Sequence, residues 1–322
     1  MRIRIIQIFV FAVIISQIFL SGCTTISDIQ RSYGLASVSG PEFKPYESLK
    51  RVIAVLDFAD DTELGKGKVG PAISDMIMST LARSGRFILI ERTELDRIFE
   101  EQGLGQSGVM TEETAVNIGK LLGAHALVMG RLEELYFQSG KRDFDVKKEE
   151  NKGFSLSASV GVANVSFKVV DTSTGEILIS DNFTSTDFRP GFGIRTKEWA
   201  FEDLEEFNQT VLGVATRKSA NKIAVTIVEN VDLLPWSGKV IKAEGGLVYF
   251  TPGRNAGIKV SQLFEIHSNR VDSEMPDSSI AKAEVIGFIG NRVTKAQVVT
   301  GSGVMPGDVV RECEEEIKSE SL

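Results

Sequence analysis

Few residues in this chain have the types and spacing that catalysis or metal binding requires. Three carboxylates, Asp57, Asp60 and Asp61, follow a predicted strand closely enough to offer oxygen ligands to a hard cation. A solvated acidic turn is the favoured alternative. The segment GKGKVG at 65–70 lacks the G-x-x-x-x-G-K-[ST] spacing that lets backbone amides hold a phosphate, so it is predicted to be a simple turn.

Nucleophile and base candidates are equally sparse. His125 and His267 are the two histidines of the chain, and each lies in an apolar strand pattern that predicts a core or sheet-edge imidazole. Cys313 lies in an acidic run at 312–316, which predicts an incidental exposed thiol with no neighbouring base to activate it. We therefore predict that the protein is not an enzyme and that it uses no cofactor and no metal.

Cys23 carries a stronger chemical signal. Arg2 and Arg4 precede an apolar run at 5–20, which resembles the basic and apolar regions of a secretory signal peptide. The run ends in a motif that resembles the bacterial lipobox: Leu20, Ser21, Gly22 and Cys23. In that motif the peptide is cleaved before the cysteine, whose thiol then carries acyl chains such as palmitate. We predict a signal peptide at 1–22 and lipidation at Cys23; an uncleaved membrane anchor is the alternative.

Composition limits the remaining possibilities. Removal of 1–22 leaves 300 residues, enough for two domains, and lowers the formal charge from −8 to −10 because Arg2 and Arg4 are lost. A chain this acidic has no electrostatic attraction for nucleic acid. Cys23 and Cys313 are the only cysteines, so acylation of the first excludes a disulfide within the chain.

Sequence patterns divide the mature chain into segments. Residues 23–50 contain scattered Ser, Gly and Pro without a periodic apolar face and are predicted to be a lipid-anchored tether. Between 51 and 235 the order strand, helix, strand, helix, helix, strand predicts an α/β (α+β) domain whose sheet is flanked by helices. A small β domain at 236–312 and an acidic tail at 313–322 follow.

The sharpest strand pattern lies at 154–163. Five apolar residues alternate there with small or polar ones: Phe154, Leu156, Ala158, Val160 and Val162. This alternation predicts a strand with one apolar face. Beyond Asn164 the apolar residues occupy odd positions, so a bulge or a change of environment is expected near Ala163 and Asn164.

Several segments resemble the CsgG family of outer-membrane lipoproteins, typified by the curli secretion channel. They run in order over about residues 50–231: RVIAVLDFADDT, LARSGRFILIERTELDRIFEEQGL, AHALVMGRLEEL, VSFKVVDTSTGEILIS and LGVATRKSANKIAVTIVENV. The resemblance implies a CsgG-like mixed sheet, a ring of subunits and hairpins that join one oligomeric barrel, through which unfolded subunits pass. Thr24 stands where an aspartate would retain an enterobacterial lipoprotein at the inner membrane, so the resemblance favours the outer membrane.

Two candidate membrane hairpins are implied, at about 135–163 and 183–207. Phe154 to Ala163 meets the requirement of about 9–11 residues with an apolar face and is the candidate membrane-facing strand. Its partner contains the charged segment KRDFD at 141–145, and the second hairpin contains Pro190, which favours an edge strand or an irregular stretch. The segment TELGKGKVG at 62–70 lacks the aromatic and asparagine residues of the channel constriction, so no gate residues are carried over.

Beyond Trp236, short strand signals separated by glycine turns predict a small antiparallel barrel or sandwich. The segments YFTPGRNAGIKVSQLFEI and VMPGDVVR resemble the C-terminal domain of the flagellar assembly protein FlgT. A module of that kind in an envelope protein is expected to dock on a partner ring or scaffold.

Together these features predict an outer-membrane lipoprotein that faces the periplasm and is held in the lipid through acylated Cys23. We expect a cyclic homo-oligomer that acts in the secretion or assembly of a curli-like or other cell-surface structure. A non-channel scaffold or adaptor, docked on an envelope machine such as a flagellar ring, is the alternative. Secreted subunits or an envelope scaffold are the expected partners.

Overall fold

A computed structural model describes residues 40–102, 112–145, 153–191, 204–269 and 279–313. At 141–145 and 153–157 it describes the backbone alone. The lipobox residues, most of the tether, the second half of the hairpin expected at 183–207, and the tail beyond Cys313 lie outside these ranges.

Helices and strands alternate in the first part of the chain, and strands alone fill the last part. The strands are β1 (Arg51–Val55), β2 (Ala59–Asp60), β3 (Phe87–Leu89), β4 (Ala126–Asp145), β5 (Gly153–Asp171), β6 (Ile177–Gly191), β7 (Gly238–Glu244), β8 (Leu247–Thr251), β9 (Leu263–His267), β10 (Ser279–Ile289), β11 (Val293–Gly301) and β12 (Val309–Glu312). The α-helices are α1 (Val69–Ser84), α2 (Arg92–Glu101), α3 (Glu112–Leu122), α4 (Leu204–Gln209) and α5 (Val211–Glu229).

The first part is a mixed sheet in the order β3-β1-β4-β5-β6, with β2 paired to β4. β1 runs parallel to β3 and β4, and its sequence RVIAV is buried along its whole length, as expected for a parallel strand covered on both faces. Helices α1 and α5 cover one face and contribute Ile73, Ile77 and Ile223 to its core. Helices α2 and α3 cover the other face. The predicted α/β class with helices flanking a mixed sheet is confirmed.

Apolar residues at helical spacing between about Phe207 and Val231 predict one long helix, but the structure divides this segment into α4 and α5. The break is at Thr210, whose side-chain oxygen donates to the Phe207 carbonyl at 2.7 Å and accepts from the Gly213 amide at 3.0 Å. This is the N-cap arrangement that satisfies a free amide in the first turn of a helix. Gly213 is required there, because a Cβ would lie 2.1 Å from the Phe207 carbonyl oxygen.

The last part is a closed antiparallel barrel in the order β10-β11-β8-β7-β12-β9. Its interior is filled by alternate strand residues, among them Val248, Phe250, Phe264 and Ile266, all of which are at most 1% exposed. Closure pairs both sides of every strand, so the barrel leaves no open edge. The predicted small β domain is therefore a barrel and not a sandwich.

Cys313 is buried, so the prediction of an exposed thiol is wrong. Its side chain is 5% exposed at the point where the chain leaves β12. The acidic residues that suggested exposure are mainly those that follow it in the sequence. Their charge does not prevent Cys313 itself from turning inward, because a thiol behaves as a small apolar side chain.

The barrel is joined to the α/β part through buried polar contacts. The His125 Nδ1 accepts from the Val52 amide at 3.0 Å, and its Nε2 donates to the Ser237 carbonyl at 2.6 Å. Arg51 donates from Nε to the Leu234 carbonyl at 2.6 Å, and the Trp236 ring packs edge-on to His125. His125 is therefore the satisfied core imidazole that the sequence predicts. Burial lowers its pKa to about 4, with the Arg51 charge acting in the same direction.

We predict that this junction weakens the fold in mild acid. In the folded protein, His125 stays neutral until the pH falls to its pKa of about 4. In the unfolded chain, it takes up a proton below its ordinary pKa of 6.5. Its contribution to the free energy of unfolding is therefore complete above pH 6.5 and decreases as the pH falls toward 4. The loss between pH 7 and pH 5 is about 2 kcal/mol.

Urea unfolding of His125→Gln and wild type at the two pH values tests this expectation. The variant should lose less stability than wild type on acidification. Identical pH dependence in wild type and His125→Gln would contradict the assignment.

Candidate functional site in the extended sheet

Strands β4, β5 and β6 are far longer than the strands of an ordinary domain. They contain 20, 19 and 15 residues, whereas about 5–6 residues is typical. The β4–β5 ladder runs from the pair Ala126 and Asp171 to the pair Asp145 and Gly153. At about 3.4 Å per residue, β4 spans roughly 65 Å.

The helices that pack on β5 reach only as far along this strand as the start of α5. A Cβ at Gly161 would lie 2.6 Å from the Val211 carbonyl carbon, so the helix backbone rests directly on this glycine. Beyond Gly161 the three strands continue together. We call this part the extended sheet: residues 136–145 of β4, 153–162 of β5 and 184–191 of β6.

A bulge in β4 sets the faces of the extended sheet. Leu132 pairs with Val165 and Glu134 with Asn164, so Glu133 is an extra residue on β4. The expected irregularity near Asn164 therefore lies in the partner strand. In β5 itself, the odd-numbered residues are buried without interruption from Gly161 to Val169. The apolar residues of β5 are even-numbered before Asn164 and odd-numbered after it, so they lie on opposite faces of the strand on the two sides of Asn164.

One face of the extended sheet is apolar and carries no helix of the described structure. Val162 pairs with Tyr136 and Thr186, and Val160 pairs with Gln138 and Phe188. Tyr136 and Phe188 are 46% and 55% exposed, and Val160 and Val162 are half-buried. We call this surface the outer face: Tyr136, Ala158, Val160, Val162 and Phe188.

The opposite face of the extended sheet is polar. Ser159 pairs with Ser139 and Arg189, and Gly161 pairs with Phe137 and Asp187. Asp187 accepts from Lys218 Nζ at 2.9 Å and lies 3.4 Å from Arg189 Nε. Arg189 Nη1 also donates to the Gln209 carbonyl of α4 at 2.7 Å. This surface, the inner face, is thus tied to α4 and α5 by charged hydrogen bonds.

The candidate membrane-facing strand is consistent with this geometry but stays a prediction. Ala158, Val160 and Val162 lie at alternate positions of β5, opposite the buried set. Phe154 and Leu156 continue the same alternation, and their backbones pair with Phe144 and Arg142. Their side chains lie outside the described part.

β6 forms one edge of the sheet, which accounts for Pro190. The proline pairs with Ala158 on an edge strand, where its missing amide hydrogen is tolerated. Two carbonyls of β6 receive lysines of α5: Lys218 Nζ donates to Thr186 at 3.0 Å and Lys222 Nζ to Thr184 at 3.4 Å. These contacts from the helix satisfy two backbone carbonyls of the edge strand.

The three candidate cation ligands have separate partners. Asp57 pairs with Arg92, and Asp61 pairs with Arg131 at 2.8 Å. Asp60 accepts from the Thr62 hydroxyl at 2.7 Å and from the Val69 amide at 3.1 Å, at the start of α1. Within the described ranges, no group of three or more His, Cys, Asp or Glu side chains is arranged to hold a metal ion.

Sequence reasoning missed the role of Asp60 at α1. The residue lies nine positions before Val69, outside the few positions at which a cap is recognised from sequence. Its carboxylate occupies the amide-rich end of α1, which is the place a phosphate would take in a phosphate-binding loop. The GKGKVG segment is accordingly a turn that closes on Asp60 and not a ligand site.

None of the helices in the described ranges has both the length and the apolar character that a membrane span requires.

We predict that Gly161→Ala destabilises the protein by roughly 1–3 kcal/mol, because the added methyl group meets the α5 backbone, which cannot yield without moving the helix. Gly140→Ala, elsewhere in the extended sheet, is the matched control, since a Cβ there has nothing within 4 Å. Thermal unfolding of both variants measures the difference. Equal stability of the two would show that α5 does not rest on β5 as described.

The family profile described as "Curli production assembly/transport component CsgG" matches residues 40–242. The matched region covers the mixed sheet, all five helices and the first strand of the barrel. The chain belongs to the CsgG family. That description names an assembly or transport component, which is not an enzymatic role. Among curated proteins, no sequence matches the chain significantly.

Comparison with solved structures matches the chain, at low TM-scores, to proteins from several bacteria. The hypothetical protein CT253 from Chlamydia trachomatis is 15% identical, with a TM-score of 0.34 over 56% of this chain and 98% of that chain. The LpoB C-terminal domain from Escherichia coli is 18% identical, with a TM-score of 0.30 over 44% and 86%. The PelC dodecamer from Paraburkholderia phytofirmans is 18% identical, with a TM-score of 0.27 over 57% and 90%.

Proposed function

We propose that this protein is an outer-membrane lipoprotein, anchored through Cys23 and facing the periplasm, that assembles into a ring and serves in secretion or assembly of a cell-surface structure. Membership in the CsgG family supports an assembly or transport role. The proposal rests on the extended sheet. This sheet continues beyond the helices that cover the core, and it has one apolar and one polar face.

The two faces suit a boundary between lipid and water. In this proposal the outer face, with Tyr136, Val160 and Phe188, contacts lipid, and the inner face, with Ser159 and Asp187, lines a water-filled passage. A three-stranded sheet alone cannot enter a membrane, because lipid offers no partner to the backbone groups at the β6 edge. Strands from other copies must close the sheet, which requires a cyclic oligomer.

The charged segment at 141–145 is compatible with this arrangement. Every second residue of a strand belongs to the same face. Counted from Ser139, an inner-face position of β4, these residues are Lys141, Asp143 and Asp145. Of the charged residues at 141–145, only Arg142 is at an outer-face position, counted in the same way from Tyr136 and Gln138. Alternation along β4 therefore assigns most of the charge to the water-facing side. The cargo we propose is an unfolded polypeptide, such as a curli-like subunit.

A non-channel scaffold is the second candidate function, and the barrel is the observation that favours it. Val260, Leu263 and Ile286 are 57%, 36% and 45% exposed, and the segment bearing the first two is joined to β10 by a 2.8 Å bond from the Ser261 amide to the Val285 carbonyl. An exposed apolar group of this kind suits contact with another protein. In this case the barrel docks on an envelope machine such as a flagellar ring.

Lipid anchoring predicts that Cys23→Ser abolishes acylation, so that the variant either leaves the membrane fraction or retains its signal peptide. Membrane fractionation and mass spectrometry of the N-terminus measure the two effects. Cys313→Ser is the matched control and should remain acylated and membrane-bound, because the buried Cys313 is not part of the lipobox. Unchanged membrane retention and processing of Cys23→Ser would remove lipidation from the proposal.

Membrane insertion of the extended sheet predicts a face-dependent effect of charge. Val160→Arg places a cation on the outer face and should cost about 2–4 kcal/mol per subunit at mid-membrane depth, whereas Ser159→Arg on the inner face should be tolerated. Electron microscopy of detergent-purified protein counts the rings. Wild type and Ser159→Arg should form rings with a membrane-depth barrel, and Val160→Arg should not. A compact wild-type protomer without rings would favour the scaffold.

A further inference from the structure

A basic groove runs beside α5, next to the edge of β6 at Thr184 and Thr186, where the β6 part of the extended sheet begins. It consists of two adjoining depressions of about 550 Å³ and 390 Å³, which share Asn221. The first lies between the edge of β6 and α5 and is lined by Phe183, Ser185 and Val225. The second lies between α1 and α5.

The charge of the groove is opposite to that of the protein. Lys222 and Lys218, the second of which also pairs with Asp187 at 2.9 Å, line the first depression, and Arg83 and Arg217 line the second. Among the described residues that line the two depressions, Asp75 is the one with an acidic side chain. The whole chain carries a formal charge of −8, so this local excess of cations marks the groove as a surface for an acidic ligand.

The first depression also contains a buried polar atom without a partner. Ser185 is 4% exposed, and its hydroxyl has no hydrogen-bond partner among the described residues. Buried polar side-chain atoms are nearly always paired in folded proteins. A polypeptide backbone in the groove offers amide and carbonyl groups that would pair with this hydroxyl.

We propose that the groove binds the acidic segment that follows Cys313 in the same subunit, residues 314–322. This segment, EEEIKSESL, has four glutamates and one lysine. Its carboxylates match the four cations of the groove, and Ile317 matches the apolar part formed by Phe183 and Val225. The inference is independent of whether the extended sheet enters a membrane.

The segment begins on the side of the molecule where α5 ends. Glu312 lies near Tyr46, where it is among the charges that add to the effect of burial in raising the pKa of the tyrosine hydroxyl. Arg86 stacks on the Tyr46 ring at 5.1 Å and donates to the Val228 carbonyl, near the end of α5, at 3.1 Å. From Val228 to Lys218 the helix spans about 15 Å. Nine extended residues reach about 30 Å.

The tether is the competing occupant, because Gly40 and Pro41 lie at the rim of the groove. Residues 24–39 carry one acidic and one basic side chain, Asp28 and Arg31, and so have no net charge. A neutral segment does not account for four cations. Charge complementarity therefore favours the tail.

Fluorescence anisotropy with a labelled peptide of sequence EEEIKSESL tests the proposal. The receptors are the full-length protein and a full-length variant in which Glu314, Glu315 and Glu316 are replaced by Gln. The peptide should bind the variant at least ten-fold more tightly than wild type, because the native tail no longer competes. Binding should weaken at least ten-fold when the salt concentration rises from about 0.05 M to 0.5 M, since exposed charges are screened.

Substitutions in the groove test whether the peptide binds at this site or is attracted to any cationic surface of the protein. Added to the Gln variant, Lys218→Glu with Lys222→Glu should reduce binding at least ten-fold. Lys239→Glu with Lys259→Glu, at exposed positions of the barrel part, is the charge-matched control and should leave binding unchanged. If the first pair prevents folding, Arg83→Gln with Arg217→Gln tests the second depression, and circular dichroism monitors folding throughout.

Two results would overturn the proposal. Equal peptide affinity of wild type and the Gln variant would show that the tail does not occupy the groove. Displacement of the labelled peptide by an unlabelled peptide of residues 24–39, at equal or lower concentration than by the tail peptide itself, would assign the groove to the tether.

Discussion

The pairing of β4 with β5 is the constraint on which the rest of the structure depends. One antiparallel ladder begins in the helix-covered core, at Ala126 and Asp171, and continues without a break in pairing to Asp145 and Gly153. The extra residue Glu133 interrupts only the alternation of β4. Leu132 and Leu135 consequently face the same core although they are three residues apart. Core packing of the α/β part therefore fixes which residues of the extended sheet lie on each face.

Much of the fold follows from the sequence because its patterns are local. The alternation at 154–163 predicts β5, and the Asp171 to Gly175 turn is stabilised by the Asp171 carboxylate, which accepts from the Ser173 amide at 2.6 Å. Helix α1 ends at Gly85, whose φ of 69° is one that glycine adopts readily, and a glycine at this place in a sequence is a local signal for the end of a helix. These features need only a few neighbouring residues, so sequence alone identifies them.

Other features depend on contacts between distant residues and could not be predicted. The bulge lies at Glu133 because β5 is opposite it, whereas the sequence irregularity appears in β5 itself. Burial of Cys313 and capping of α1 by Asp60 are set by tertiary packing. The groove beside α5 combines residues of α1 with residues of β6 and α5 that lie at least 100 positions later in the chain. Local patterns contain no information about such proximity.

The closed barrel has a consequence for the lipid-anchored assembly proposed above. Each of its strands is already paired on both sides, so it offers no main-chain template on which another copy can add a strand. In the lipid-anchored ring proposed above, copies held side by side in one leaflet would therefore touch through their barrels without adding strands to one another. In the described part of the chain, open strand edges remain in the mixed sheet, where main-chain hydrogen bonds to another copy can form.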